Sequence, residues 1–392
     1  MIDWWWMLPA VVAGLLLGGY FFRYLSSRFS LKRLDRLNHR YFKGLNYLLN
    51  DESDKAIDVF IKLAETSRET FEPQLALGNL YRRKGEVDRA IRLHQSLIAQ
   101  PDLPQQYRTR ALLAIGKDYM SAGLLDRAEV LFSELVEIEA HTPEALKALN
   151  DIYQQEQDWP EAIRVASRYE ATSGRSMADN ISHYYCEMAD HALLEQEYDE
   201  ARKHLNAARR IAPKSVRASL SFAGIYEAEE QWQKAIDSYK QAIEYDTSYV
   251  PEFIDRLVAG YKHLGQQEQL ETFLLELMET YQGISPILAL AEIYQQSQSN
   301  TTAAQFIEEK LKHRASVKGL NALIELNLSQ MEPQQQEASY FLVLRNLVDK
   351  LLANKPKLRC RKCGFGAQSL HWQCPSCRSW GTVKPIYGLE SE

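Results

Sequence analysis

Between about residue 38 and residue 310 the chain repeats itself. Aligned on a small residue in what reads as the second helix of each repeat, the register runs Ala56, Ala90, Ala128, Ala162, Ala201, Ala235, Leu270 and Ala303, in steps of 34, 38, 34, 39, 34, 35 and 33 residues. Nine residues earlier stands a tyrosine in most repeats: Tyr47, Tyr81, Tyr119, Tyr153, Tyr226, Tyr261 and Tyr294. Gly44, Gly78 and Gly116 precede their tyrosines by three residues, and Gly85, Gly123 and Gly265 follow theirs by four. Phe60, Phe132 and Tyr239 come four residues after the small residue, and Pro213 closes the fifth repeat. Such a period rules out one central core. A single helix pair cannot bury its apolar face, so neighbouring pairs must stack.

The period and its punctuation resemble the tetratricopeptide repeat. That resemblance implies a right-handed superhelix with a concave surface suited to extended peptides or helices. The fifth repeat is the weakest match, with Ala192 in the tyrosine position, and the seventh has Leu270 for its alanine. Eight repeats are counted, and a ninth around Gly319 to Leu328 is left open. Asn79, Arg82, Arg83 and Lys117 fall where first-helix side chains face the groove. They resemble part of a clamp for a peptide carboxylate; the alternative is a solvated charged face.

The C-terminal segment has a different chemistry. Cys360-Arg-Lys-Cys363-Gly is followed, ten residues on, by Cys374-Pro-Ser-Cys377, so four of the five cysteines sit here. In a Cys-x-x-Cys turn both sulfurs lie on one side of a tight loop, and two such knuckles can close a tetrahedron around one soft metal ion. Gly364 follows the first knuckle where φ > 0 is needed, and Pro375 pre-sets the second. Arg378 stands where a rubredoxin knuckle has glycine. The knuckles resemble rubredoxin and the short gap resembles a zinc ribbon, so iron and zinc both stay open. Four thiolates leave no open coordination position, which argues against a hydrolytic centre. The alternative, a pair of disulfides, needs an oxidising compartment. His371 reads as a surface or packing residue. Trp372, Trp380, Phe365 and Tyr387 read as the module's own small core.

At the other end, Trp4 to Phe22 is a run of nineteen residues without a charge, with aromatics at both ends. As a helix it spans about 28 Å, close to a hydrocarbon core of roughly 30 Å. A cleaved signal peptide is the rival reading. Asp3 in place of a basic start, and no small-x-small site after the run, favour an uncleaved anchor. Arg23, Arg28, Lys32, Arg33, Arg36 and Arg40 follow, opposed only by Asp35. The positive-inside rule then leaves a short N-terminus outside and the body in the cytoplasm, where paired cysteines read as metal ligands.

The net charge of −6 hides a split. Lys355 to Lys384 carries seven Lys/Arg and no acid, so −6 overall is a −13 remainder offset by +7. A basic metal ribbon raises nucleic acid as a partner; docking onto the acidic repeats is the favoured alternative. No Walker A segment, dinucleotide fingerprint, His-Glu-x-x-His or Gly-x-Ser-x-Gly is present. Cys186 reads as a buried small apolar residue, and His183, His191 and His204 as ordinary repeat-helix residues. Residues 331–355 read as a capping helix whose apolar face is Phe341, Leu342, Leu344, Leu347, Leu351 and Leu352, packing the metal module against the array.

Anchor, repeats and a four-cysteine module, in this order, resemble the lipopolysaccharide assembly protein B family of Gram-negative bacteria. The resemblance covers essentially the whole chain; the metal knuckles and the tryptophan-rich opening are its most specific parts. It implies an all-α tetratricopeptide-repeat superhelix with an N-terminal transmembrane helix and a small C-terminal rubredoxin/zinc-ribbon-like module. The expected divisions are an anchor at 1–22, a basic juxtamembrane linker at 23–37, repeats at 38–330, a capping helix at 331–355 and the metal module at 356–392. Cys360, Cys363, Cys374 and Cys377 match the family's ligands for one iron or zinc ion. The family's role implies a non-enzymatic inner-membrane adaptor that brings the lipid A pathway deacetylase to a membrane-anchored AAA+ protease. It also implies an answer to a lipopolysaccharide-sensing inner-membrane regulator and a part in gathering assembly proteins. A homodimer is one further candidate assembly. Two other function classes stay in view: a rubredoxin-like electron carrier, and an RNA-binding ribbon acting through Lys357, Arg359, Arg361, Lys362 and Arg378.

Overall fold

The computed structural model describes residues 41–47, 49–50, 52–66, 71–331, 336–353 and 355–388. The expected anchor and its basic flank lie outside them. Among the described residues no helix is long and apolar enough to cross a membrane. The chain divides into two compact units, Met1–Gly174 and Arg175–Glu392.

The first unit contains α1 (described over 41–47), α2 (Ser53–Thr66), α3 (Phe71–Arg83), α4 (Val87–Ile98), α5 (Gln105–Ser121), α6 (Leu125–Glu137), α7 (Thr142–Glu156) and α8 (Trp159–Ser173). The second contains α9 (Ala178–Leu194), α10 (Tyr198–Ile211), α11 (Val216–Ala228), α12 (Trp232–Tyr245), a 3₁₀ turn (Thr247–Glu252), α13 (Ile254–Leu264), α14 (Gln267–Thr280), α15 (Ser285–Ser297), α16 (Asn300–His313), α17 (Val317–Leu328) and α18 (Gln336–Ala353). It ends in an antiparallel sheet of β1 (Leu358–Cys360), β2 (Gly366–Ala367) and β3 (Val383–Pro385), ordered β2-β1-β3. Within each unit, consecutive helices pack on one another.

The aligned small residues are where the helices cross. Ala56, Ala90, Ala128, Ala162, Ala201 and Ala303 are fully buried, and Ala235 and Leu270 are 1% exposed. Phe60 and Phe132, four residues on, are fully buried and lie over glycines of the first helix. A Cβ on Gly44 would sit 2.7 Å from the Phe60 ring, and one on Gly116 would sit 2.6 Å from Phe132. The glycine is therefore fixed by the ring that replaces its side chain. Tyrosines tie adjacent repeats: the Tyr153 hydroxyl donates to Glu129 at 2.7 Å and that of Tyr294 to Glu271 at 2.9 Å, each acid following an aligned small residue. The turn four residues after the tyrosine position takes positive φ in six repeats, though not in the eighth, where Gln298 has φ of −124°. Gly85, Gly123 and Gly265 adopt it freely, while Gln157 (59°), Gln196 (61°) and Glu230 (58°) are held in the same conformation. The repeat geometry overrides a local penalty of about 1 kcal/mol at each.

The ending departs from expectation. α17 and α18 form a ninth helix pair, and α18 turns Ala338 and Val348 inward. Leu342, Leu344, Leu347 and Leu351 are 48 to 55% exposed. The six apolar residues read as one face are split around the helix, so only a narrow stripe meets α17.

Gly116→Ala is expected to destabilise the chain by about 1–3 kcal/mol through overpacking against Phe132. The double variant with Phe132→Leu should recover much of that loss in urea unfolding, and strict additivity would contradict the close approach.

Candidate metal centre

Both knuckles are built on the same hydrogen-bonded turn, the first at the end of β1 and the second beside the Gln373–Trp380 bridge. Gly364 N–H donates to Cys360 O at 2.9 Å, and Arg378 N–H donates to Cys374 O at 2.8 Å. Cys360 N–H donates to Phe365 O, and Cys374 N–H to Ser379 O. Gly364 has φ of 81°, and Arg378 takes 54° in the matching position. The missing glycine of the second knuckle thus changes the residue and not the turn.

The turns bring Cys360, Cys363, Cys374 and Cys377 together with all four Sγ atoms within 4.8 Å of one another. Cys360 and Cys377 Sγ are 3.7 Å apart, and Cys363 and Cys374 Sγ 3.6 Å. A tetrahedron with metal–sulfur bonds of about 2.3 Å has edges of about 3.8 Å, so the donor set fits one metal ion. Burial opposes ionisation of Cys360, but the hydrogen bond it shares with Thr382 and those from the Cys363 and Lys362 N–H groups outweigh it and bring the thiol down to about 6. Cys360 and Cys374 are buried while Cys363 is exposed, so one edge of the site faces solvent. His371 is half-buried and outside the cluster. Bound there, zinc or iron would supply the folding energy of the segment.

Of the four aromatic residues expected in the module's core, only Phe365 packs there; Trp372, Trp380 and Tyr387 do not. Leu358, Cys360, Ala367, Cys374 and Val383 form the core, with Phe365 and Leu370 packed against them. Trp372 and Trp380, which bracket the second knuckle, turn outward onto the repeats. Trp380 stacks on His183 at 5.0 Å between centroids and meets Tyr184 edge-on at 5.9 Å. Trp372 lies 5.2 Å from Tyr249. The Arg217 guanidinium sits 5.8 Å from both indole rings. The Tyr249 hydroxyl donates to Gly381 O at 3.2 Å, Lys384 pairs with Asp246, and Tyr387 meets Tyr281 edge-on. The ribbon thus rests on α9, α11 and the 3₁₀ turn through these contacts, rather than on α18. A physical reason is flatness: two indoles need a broad surface, which α9, α11 and the 3₁₀ turn supply together.

His183, taken from the sequence as an ordinary helix residue, is a docking residue. Burial, reinforced by Arg217, pushes its pKa down to about 3. Cys186 is fully buried, as expected, and burial pushes its thiol up to about 12. Arg217, 4% exposed, was not singled out in the sequence; its only cue is an arginine one residue after an apolar helix start.

In the first unit Arg82 is committed elsewhere. It donates to Asp118 at 2.7 Å, Ala114 O at 3.3 Å and Asn79 at 2.8 Å, while Asp118 also meets buried His94 at 2.5 Å. Arg83 and Lys117 are exposed, and burial, then Arg82, lowers the Lys117 pKa. Arg82, held by Asn79, therefore braces α3 against α5, while Arg83 and Lys117 stay exposed.

Three sequence-family profiles match. One, described as a rubredoxin metal binding domain, covers residues 359–385; two described as tetratricopeptide repeats cover 75–106 and 186–249. Lipopolysaccharide assembly protein B of Escherichia coli (strain K12) is 34% identical over 384 residues, 98% of each chain. The same-named protein of Haemophilus influenzae is 29% identical over 364 residues, 91% of each chain. Among solved structures, the C-terminal part of a repeat-containing protein from Cytophaga hutchinsonii is 15% identical, covering 77% of this chain and 99% of that one, at a TM-score of 0.39.

Cys374→Ser should abolish stoichiometric metal binding and unfold the ribbon while the far-ultraviolet helical signal persists; unchanged metal content would contradict the four-thiolate site. Arg378→Gly should stabilise the ribbon by about 1 kcal/mol by relieving the left-handed backbone. Faster metal loss to a chelator in that variant would show that the arginine side chain outweighs the strain.

Proposed function

This chain belongs to the lipopolysaccharide assembly protein B family, and we propose on that footing that it is a non-enzymatic adaptor regulating lipopolysaccharide assembly. The observation that carries the proposal is the likeness to the Escherichia coli protein of that name along 98% of both chains. In the finer reading, the repeats bind the lipid A pathway deacetylase and deliver it to a membrane-anchored AAA+ protease. The N-terminal anchor confines the search to two dimensions and raises the effective concentration of client near the protease. An inner-membrane lipopolysaccharide sensor sets how much client is delivered. Arg83 and Lys117 are candidate groove contacts, with Asn79 and Arg82 holding the wall behind them.

The site chemistry supports a scaffold. Four cysteines that satisfy one metal leave it no position for substrate. The ribbon's basic charge is partly spent within the molecule, since Lys384 pairs with Asp246. That pairing favours docking over an RNA-binding role for the module.

In cells depleted of this protein, the deacetylase lifetime should lengthen several-fold when the protease is present and stay unchanged when it is absent. A pulse-chase of the deacetylase measures this. An unaltered lifetime in the presence of the protease would remove the adaptor reading.

A further inference from the structure

We propose that the seam between ribbon and repeats is a binding site for a small phosphate-bearing anion. The seam encloses a pocket of about 250 Å³ lined by Ser182, His183, Lys214 and Arg217 from the repeats and by Trp380 and Lys384 from the ribbon. At about 30 Å³ per water this holds roughly eight waters, room for a phosphate with a short substituent. The site is independent of the adaptor reading.

Its walls carry polar atoms that nothing in the protein satisfies. Ser182 Oγ, His183 Nδ1, and Arg217 Nε and Nη1 are buried without a hydrogen-bond partner. Ser182 is 2% exposed and Arg217 4%. Buried donors of this kind are rare, and a charged one left unmet is the most costly. Glu187 and Asp190 both accept from Arg217 Nη2, at 2.8 and 2.7 Å, so the guanidinium is neutralised on one corner only. Nε–H and the Nη1 N–H groups point to different sides of the guanidinium, and each is left to meet an acceptor of its own.

The surroundings select for a tetrahedral oxyanion. Arg217 lies in the first turn of α11, whose amino end is capped by the Ser215 side chain, and the helix dipole adds positive potential there. Lys214 lies at the exposed rim, as does Asp179, which solvent screens, while the lining carboxylate Asp246 is paired with Lys384. The separate Nε and Nη1 donors of Arg217, the hydroxyl and the imidazole nitrogen offer partners for three or more oxygens, where a carboxylate has two. Because ribbon and repeats both contribute lining residues, bound anion would stabilise the docked ribbon by mass action.

The test uses the full chain, metal-loaded and purified in detergent, titrated with inorganic phosphate, glycerol 3-phosphate, dihexanoyl phosphatidic acid and acetate. Saturable binding of a phosphate compound is read by calorimetry and by a rise in the ribbon's melting temperature. Ser182→Ala removes an unpartnered hydroxyl and should leave the unliganded chain unaffected while weakening phosphate binding about tenfold. Arg217→Lys, which keeps the charge and loses the separate Nε and Nη1 donors, should weaken it by about tenfold or more. Tighter binding of the phosphatidic acid assigns the anion to a lipid headgroup; equal or tighter binding of the small phosphates assigns it to a free metabolite. The proposal is overturned by no saturable binding to the unaltered chain, by binding that Ser182→Ala leaves unchanged, or by acetate binding as tightly as phosphate.

Discussion

Everything in the array depends on how closely two helices of a repeat can approach. That distance is set by a residue with little or no side chain on one helix and an aromatic or branched residue on the other. Where Gly116 meets Phe132 and Gly44 meets Phe60, ring and backbone fill one space. The fully buried aligned residues follow from this, as does the spacing that lets a tyrosine reach the acid of the preceding repeat. The crossing also dictates the turn, which is why Gln157, Gln196 and Glu230 accept a backbone conformation that glycine would take more easily.

The same logic shows how much could be read from residue order. Positions defined by repetition were legible, since Ala201 and Ala235 announce their burial by recurring. The four thiolates were legible because Cys-x-x-Cys spacing is itself the geometry of the site. Unique surfaces were not. Trp372 and Trp380 look like a core for a small module, and only the three-dimensional structure reveals that the module's core is built from Leu358, Ala367, Val383 and two of its own cysteines. Their partners were equally hidden. Tyr249 sits in a 3₁₀ turn between α12 and α13, outside the repeat pattern, and is 3% exposed.

Charge was legible in sum and illegible in pairing. The basic ribbon and acidic remainder suggested docking, yet the overall balance could not identify Lys384 with Asp246 or place a buried arginine between two indoles. Arg217 is also the costliest element of the interface. A desolvated guanidinium is tolerable only with compensation, and here compensation comes from two carboxylates on one nitrogen and two aromatic faces.

Those aromatic faces exist only when the knuckle between them is formed. Trp372 and Trp380 bracket Cys374 and Cys377, and a bridge between Gln373 and Trp380 closes the loop that carries them. A four-thiolate zinc site contributes on the order of 10–16 kcal/mol in small modules, far more than a segment with this few apolar residues gains by burial. The metal therefore sets the spacing of the two indoles, and their spacing sets whether Arg217 can lie between them. Loss of the ion would uncover His183 and Tyr249 and return one face of Arg217 to water, leaving Glu187 and Asp190 as its remaining partners. In this way a closed site with no coordination position to offer can still govern a surface of the repeats far earlier in the sequence, because the interface is carried on the metal's own ligand loop.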